Sequence, residues 1–162
     1  MTQQHIEVGV VLARTALESR WADHAWHAHA VLPGAPAIRA GMSLGADRDS
    51  ALFYAGGAEL TLHGGSTAFY RDNLHSGEPS LWIATAVEDG ACRVIAVTAD
   101  PYEGEALTEA IGSTVDRVPM PEPVRAAIAG FVEAFHVERP FFKRARDEAD
   151  LELGRGPDWS SE

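Results

Sequence analysis

Short apolar segments, separated by glycine- and proline-rich turns and followed by only one strongly amphipathic helix, restrict this chain to an antiparallel design. Successive parallel strands need a crossover of a dozen or more residues, usually a helix. No such helices interleave the segments here. They are IEVGVVLART (6–15), AWHAHAVL (25–32), two halves of SALFYAGGAELTLHGG (50–65), STAFYRDNL (66–74), PSLWIATAVED (79–89), ACRVIAVTAD (91–100) and TVDRVPM (114–120). Val, Ile, Thr and aromatic residues favour strands in each.

Turn chemistry orders these segments. Gly56-Gly57 accepts the positive φ angles of a tight hairpin, and Asp89-Gly90 makes a second. Along ELTLH, Leu60 and Leu62 share one face while Glu59, Thr61 and His63 share the other. Pro33-Gly34-Ala35-Pro36 ends the second segment, and an irregular stretch runs to Asp49. PYEGEALTEAI (101–111) is too short and too interrupted by Gly104 to promise more than a helical turn or two. In PEPVRAAIAGFVEAFHVE, Val124, Ile128, Phe131 and Phe135 form one apolar stripe after an opening proline turn. A tryptophan, Trp21 or Trp26, is expected to cover that stripe. The expected fold is mainly β or α+β: one antiparallel, partly closed barrel or curved sheet of six to seven strands, packed by one C-terminal helix. The domain is placed at 5–137, with the helix at about 122–137. Residues 138–162 read as a charged, flexible tail.

Of 162 residues, 24 are acidic and 13 basic, giving a formal charge of −11. That balance argues against a nucleic-acid binder and against adsorption to anionic lipid. Cys92 is the one cysteine, so neither an intrachain disulfide nor a cysteine-rich metal site is expected. The opening MTQQHIEVGVVLART does not resemble a signal peptide, and no stretch approaches the roughly 20 apolar residues of a membrane span. A cytoplasmic location is the expectation.

HAWHAH (24–29) is the only concentration of metal-ligand chemistry. In a regular strand His27 and His29 share a face, a sound start for zinc or another divalent ion. A third ligand must then come from Asp23, His24, His63 or His75, and no HExxH spacing marks one. Solvent-facing imidazoles beside a tryptophan are the plainer reading. Neither a Walker lysine, a full GxGxxG pattern nor a GxSxG elbow is present, and Asp100-Pro101-Tyr102-Glu103 reads as a turn at a strand end. No nucleophile, base and oxyanion donor can be assembled. No catalytic residue and no cofactor are therefore expected.

KRAR (143–146) is cancelled by the DEAD that follows, but Phe141 and Phe142 beside it suit a docking segment. Arg139, Lys143 and Arg144 would orient a protein partner around those two rings.

WADHAWHAHAVLPGAP, AFYRDNL, VTADPYEG and VPMPEPVRAAIAGFVEAFHVERPFFKR together resemble a family of small uncharacterised bacterial proteins encoded near formate dehydrogenase genes. Some members carry an unsupported label for molybdopterin-guanine dinucleotide biosynthesis. The resemblance spans most of residues 6–146 and is most distinctive at Trp21, at 30–36, at Tyr70 with Asn73, at 99–102 and at 136–144. It implies no catalytic residue. Related sequences more often carry arginine or another residue at His27 and His29, which weakens a family-wide metal site there. The expectation is a non-enzymatic accessory or protein-binding domain assisting formate dehydrogenase maturation or assembly. Its partner would be a formate dehydrogenase subunit or maturation protein, with homo-oligomerisation through an open sheet edge as another possibility. The alternative is a metal-dependent enzyme or metal carrier built on His27 and His29.

Overall fold

A computed structural model describes residues 2–17, 24–110 and 112–137. Among these, strands β1 (Gln3–Ala16), β2 (His24–Pro33), β3 (Ser43–Ala46) and β4 (Ser50–His63) come first. A short 3-10 turn leads to helix α1 (Thr67–His75), then β5 (Ser80–Glu88) and β6 (Ala91–Thr98). Helix α2 (Pro101–Thr108), β7 (Thr114–Pro119) and α3 (Glu122–Phe135) complete the described fold.

The strands make two antiparallel sheets, in the orders β2-β1-β4-β3 and β6-β5-β7. The single barrel or curved sheet with one helix is therefore incorrect on both counts: the sheets are separate, and the described residues hold three α-helices. β2 runs beside β7 and β4 beside β6, but no backbone ladder joins them. At the first seam a side chain reaches across instead, with the Ala28 N–H donating to the Asp116 carboxylate at 2.9 Å. Bulges explain the interruption. The pairing registers leave one extra residue on each of four strands: His29 on β2, Leu44 on β3, Ala55 on β4 and Ile95 on β6. Such residues locally break the ladder and bend the strand. Both seams are bordered by strands carrying them, which denies the two sheets a regular edge along which to join.

The Gly56-Gly57 hairpin is a second correction. β4 runs unbroken past both glycines, and Gly56, at φ +104, follows the bulged Ala55. The glycine pair bends a strand rather than reversing it. Asp89-Gly90 does reverse the chain between β5 and β6, with both residues at positive φ.

STAFYRDNL is helical, not extended. Thr67, Tyr70 and Asn73 are its buried positions, at the three-residue spacing that places side chains along one helix face. PYEGEALT also forms a full helix. Asp100 caps it by accepting from the Tyr102 N–H at 2.9 Å and the Glu103 N–H at 3.4 Å, while Pro101 occupies the first turn.

The core lies between the sheets and under α3. Val8, Val10 and Leu12 of β1 meet Leu60 and Leu62 of β4, Leu81 and Ile83 of β5, and Val118 of β7. Val124, Ile128, Phe131 and Val132 of α3 cover it. The helical stripe ends a turn earlier than expected, because Phe135 is 44 % exposed. Trp26 pairs its ring with Phe53 on β4, at 5.7 Å between centroids, rather than capping α3. Trp21 lies outside the described residues.

Candidate functional site

Alternation alone would put His27 and His29 on one face of β2. The bulge intervenes between them: His27 pairs with Ala13, Ala28 with Leu12, and Ala30 with Val11, leaving His29 as the extra residue. His29 is exposed and His27 half-buried. His63 is on β4, where its Nδ1 lies 3.3 Å from the Gln3 amide nitrogen, and His75 ends α1. Among the described residues no group of three His, Cys, Asp or Glu side chains converges in a way that could hold a metal ion.

Two of the four segments that carried the family resemblance, AFYRDNL and VTADPYEG, meet in one buried knot. Asn73 Nδ2 donates to the carbonyls of Ser80 (2.8 Å) and Ala99 (3.0 Å), and its Oδ1 accepts from the Ser80 N–H (3.0 Å). One side chain thus ties α1 to the start of β5 and to the end of the β6 segment. Next to it, Thr98 Oγ accepts from the Asp100 N–H at 3.1 Å. The Tyr70 hydroxyl accepts from the His63 N–H at 2.9 Å. Burial pushes the Tyr70 phenol above its ordinary range; hydrogen bonds from His63 and Ser66 oppose that, and the charges of Asp100 and Glu103 add to it. Apart from the Ser66 bond to Tyr70, the hydrogen bonds described here all go to backbone groups. The chemistry is that of a brace.

Cys92 is half-buried on β6, and burial raises its thiol pKa; a hydrogen bond with Thr85 opposes this, and the Asp116 charge reinforces it. A thiol pushed in that direction is a poor nucleophile at neutral pH. It borders a cleft of about 340 Å³ between β4 and β6, whose walls include the two bulged residues Ala55 and Ile95 together with Glu59 and Arg93.

The helical layer carries a different surface. Phe69 of α1 and Tyr102 of α2 meet edge to face at 4.8 Å between centroids, yet remain 37 % and 60 % exposed. On α3, Phe131 is buried against Tyr70, while Phe135 packs on it at 4.9 Å and stays partly in solvent. Val137, just beyond the helix, is 66 % exposed. This aromatic surface was hidden in the sequence. In a strand Phe69 and Tyr70 merely alternate faces; only the helix turns Phe69 toward Tyr102. The available signal was the Asp-Pro-Tyr order, a helix N-cap that presents the tyrosine in the first turn. Arg139, Phe141, Phe142, Lys143 and Arg144, the residues expected to bind a partner, lie outside the described residues.

A family model covers residues 7–146, which include both sheets and all three helices almost in full. The chain belongs to the DUF3305 family. That family's description, a protein of unknown function, assigns no activity to a DUF3305 chain. Neither the curated proteins nor the solved structures contain a match to it. No helix among the described residues is long and apolar enough to cross a membrane.

Proposed function

We propose that this chain is a non-enzymatic accessory protein that binds another protein through the aromatic surface of its helical layer. The carrying observation is the Phe69–Tyr102 pair, two rings that satisfy each other edge to face but leave much of their area in water. Large aromatics at partly covered positions are the groups that anchor protein interfaces, and each loses little side-chain entropy on docking. The buried polar knot beneath them supports the reading too, since it holds α1 and α2 rigid without offering a reactive group. The resemblance names the partner to test, a formate dehydrogenase subunit or a protein of its maturation, in the cytoplasm.

The experiment is co-purification of the untagged chain with formate dehydrogenase subunits at moderate salt, compared with a Phe69→Ser/Tyr102→Ser variant of unchanged melting temperature. Retention by wild type and loss by the variant is the expected result. Equal retention by both would move the interface elsewhere, and recovery of a lone monomer or a homo-oligomer would overturn the heterologous partner. One equivalent of metal, lost in His27→Ala/His29→Ala, would replace this reading with a metal-dependent enzyme or carrier.

A further inference from the structure

The aromatic surface of the helical layer lies close to where the described chain ends. His136, the residue that follows α3, has its Nδ1 3.0 Å from the Thr67 hydroxyl at the first position of α1. Phe69 lies two residues further along that helix and meets Tyr102 of α2. α1 packs against both α2 and α3, so the chain leaving Val137 starts beside the helix that carries half of the exposed ring pair. Packed helices stand about 8–10 Å apart, and five residues of extended chain span about 16 Å. Phe141 and Phe142, which follow Val137 closely in sequence, are within reach of Phe69 and Tyr102.

Charge agrees with that reach. α1 and α2 carry one arginine, Arg71, against the exposed acids Asp72, Glu103 and Glu105. Asp72 follows Phe69 by three residues and Glu105 follows Tyr102 by three, a spacing that makes neighbours on a helix surface. Each ring of the pair therefore has a carboxylate one turn along its own helix. The negative charge of Glu103 also acts on the Tyr70 phenol, which places acid near the start of α1 as well. Residues 139–146, RPFFKRAR, are the complement: two phenylalanines among four cations, with no acid between them.

We infer that residues 139–146 of this same chain are the resting occupant of the Phe69–Tyr102 surface. Phe141 and Phe142 pack on the two rings, and the flanking cations face Asp72 and Glu105. Tethered at Val137, the segment meets the rings at an effective concentration of about millimolar order, so even a weak contact stays formed. The inference rests on the reading of this surface as a binding site and makes its use conditional: a partner binds there by displacing the segment.

The test is nuclear magnetic resonance of the isotope-labelled, full-length chain. Nuclear Overhauser contacts between the Phe141 or Phe142 ring and the Phe69 or Tyr102 ring are expected. In Phe141→Ser/Phe142→Ser the Tyr102 ring resonances should move while those of Phe53, on the first sheet, stay in place. Absence of the contacts, or Tyr102 resonances identical in variant and wild type, would overturn the inference. Contacts seen only between labelled and unlabelled chains in a mixed sample would assign the surface to a second copy and overturn it equally. In the co-purification experiment, Phe141→Ser/Phe142→Ser should retain more partner than wild type, whereas Phe69→Ser/Tyr102→Ser loses it. Equal retention by wild type and Phe141→Ser/Phe142→Ser would overturn displacement. Intrachain contacts with no partner retained by any variant would uphold the covering segment and fail only the heterologous partner.

Discussion

Gly104 of α2 rests directly on the Trp82 indole: a Cβ built at Gly104 would lie 2.5 Å from Trp82 Cγ and 2.8 Å from its Cβ and Cδ1. The Arg117 guanidinium carbon lies 6.0 Å from the centroid of the same ring, so Trp82 also has a neighbour on its own sheet. The colliding atoms belong to the root of the indole, which cannot swing away as a side-chain tip can. Gly104→Ala should therefore destabilise the fold by about 1–3 kcal/mol, the usual cost of overpacking, despite alanine's better helix propensity. Chemical denaturation reads this directly. An unchanged or raised midpoint would mean that α2 lifts off Trp82 freely.

Asn73 tests the buried knot. Its amide group donates twice and accepts once, to three backbone groups on two different segments. Asn73→Asp preserves shape but removes both donors and brings a carboxylate against the carbonyls of Ser80 and Ala99. Each orphaned buried group costs about 1–3 kcal/mol, so the variant should lose more stability than a surface Asn→Asp change and regain part of it in acid as the new carboxyl protonates. Thermal melts across pH check both statements. A loss that is small and independent of pH would show that the knot relaxes around the substitution.

Much of the fold was readable because hydrophobic period and turn chemistry agreed. Leu60 and Leu62 are fully buried as the alternation of ELTLH requires. Asp89-Gly90 turns the chain where expected, and Val124, Ile128 and Phe131 bury as one stripe. The failures have local causes. Gly56-Gly57 satisfies a hairpin and a bulge equally well, because both exploit positive φ; only the partner β1, long enough to pair with all of β4, decides between them. STAFYRDNL mixes β-favouring residues with a three-residue burial spacing, and its helical form rests on Asn73 reaching backbone distant in sequence. The bulge at His29 depends on the register of β1 and leaves no mark in HAWHAH itself. The cluster of Arg14, Trp26 and Phe53 was illegible for the same reason: strand pairing brings its three residues together from three segments.

Phe131 gives the most direct check on how α3 seats. It is 2 % exposed, with Tyr70 edge-on at 6.3 Å and Phe135 at 4.9 Å. Phe131→Ala should cost about 3–5 kcal/mol through lost burial and the cavity left among helix and sheet. A change below about 1 kcal/mol in denaturation would show that α3 contributes far less to the core than its buried face indicates.

Tyr70 links the same region to pH. Burial raises its phenol above the ordinary value near 10, so in the folded chain it holds its proton to higher pH than in the unfolded one. Between those two values the folded state binds more protons. Its contribution to stability is thus complete below about pH 10 and declines as pH rises through the folded pKa. Tyr70→Phe should lose about 0.5–1.5 kcal/mol at neutral pH, because the His63 N–H forfeits its acceptor. It should also show a shallower alkaline decline than wild type. Denaturation curves collected from neutral pH to well above the phenol range separate the two effects. Parallel alkaline limbs in both proteins would assign the decline to other groups and leave Tyr70 with a purely structural hydrogen bond.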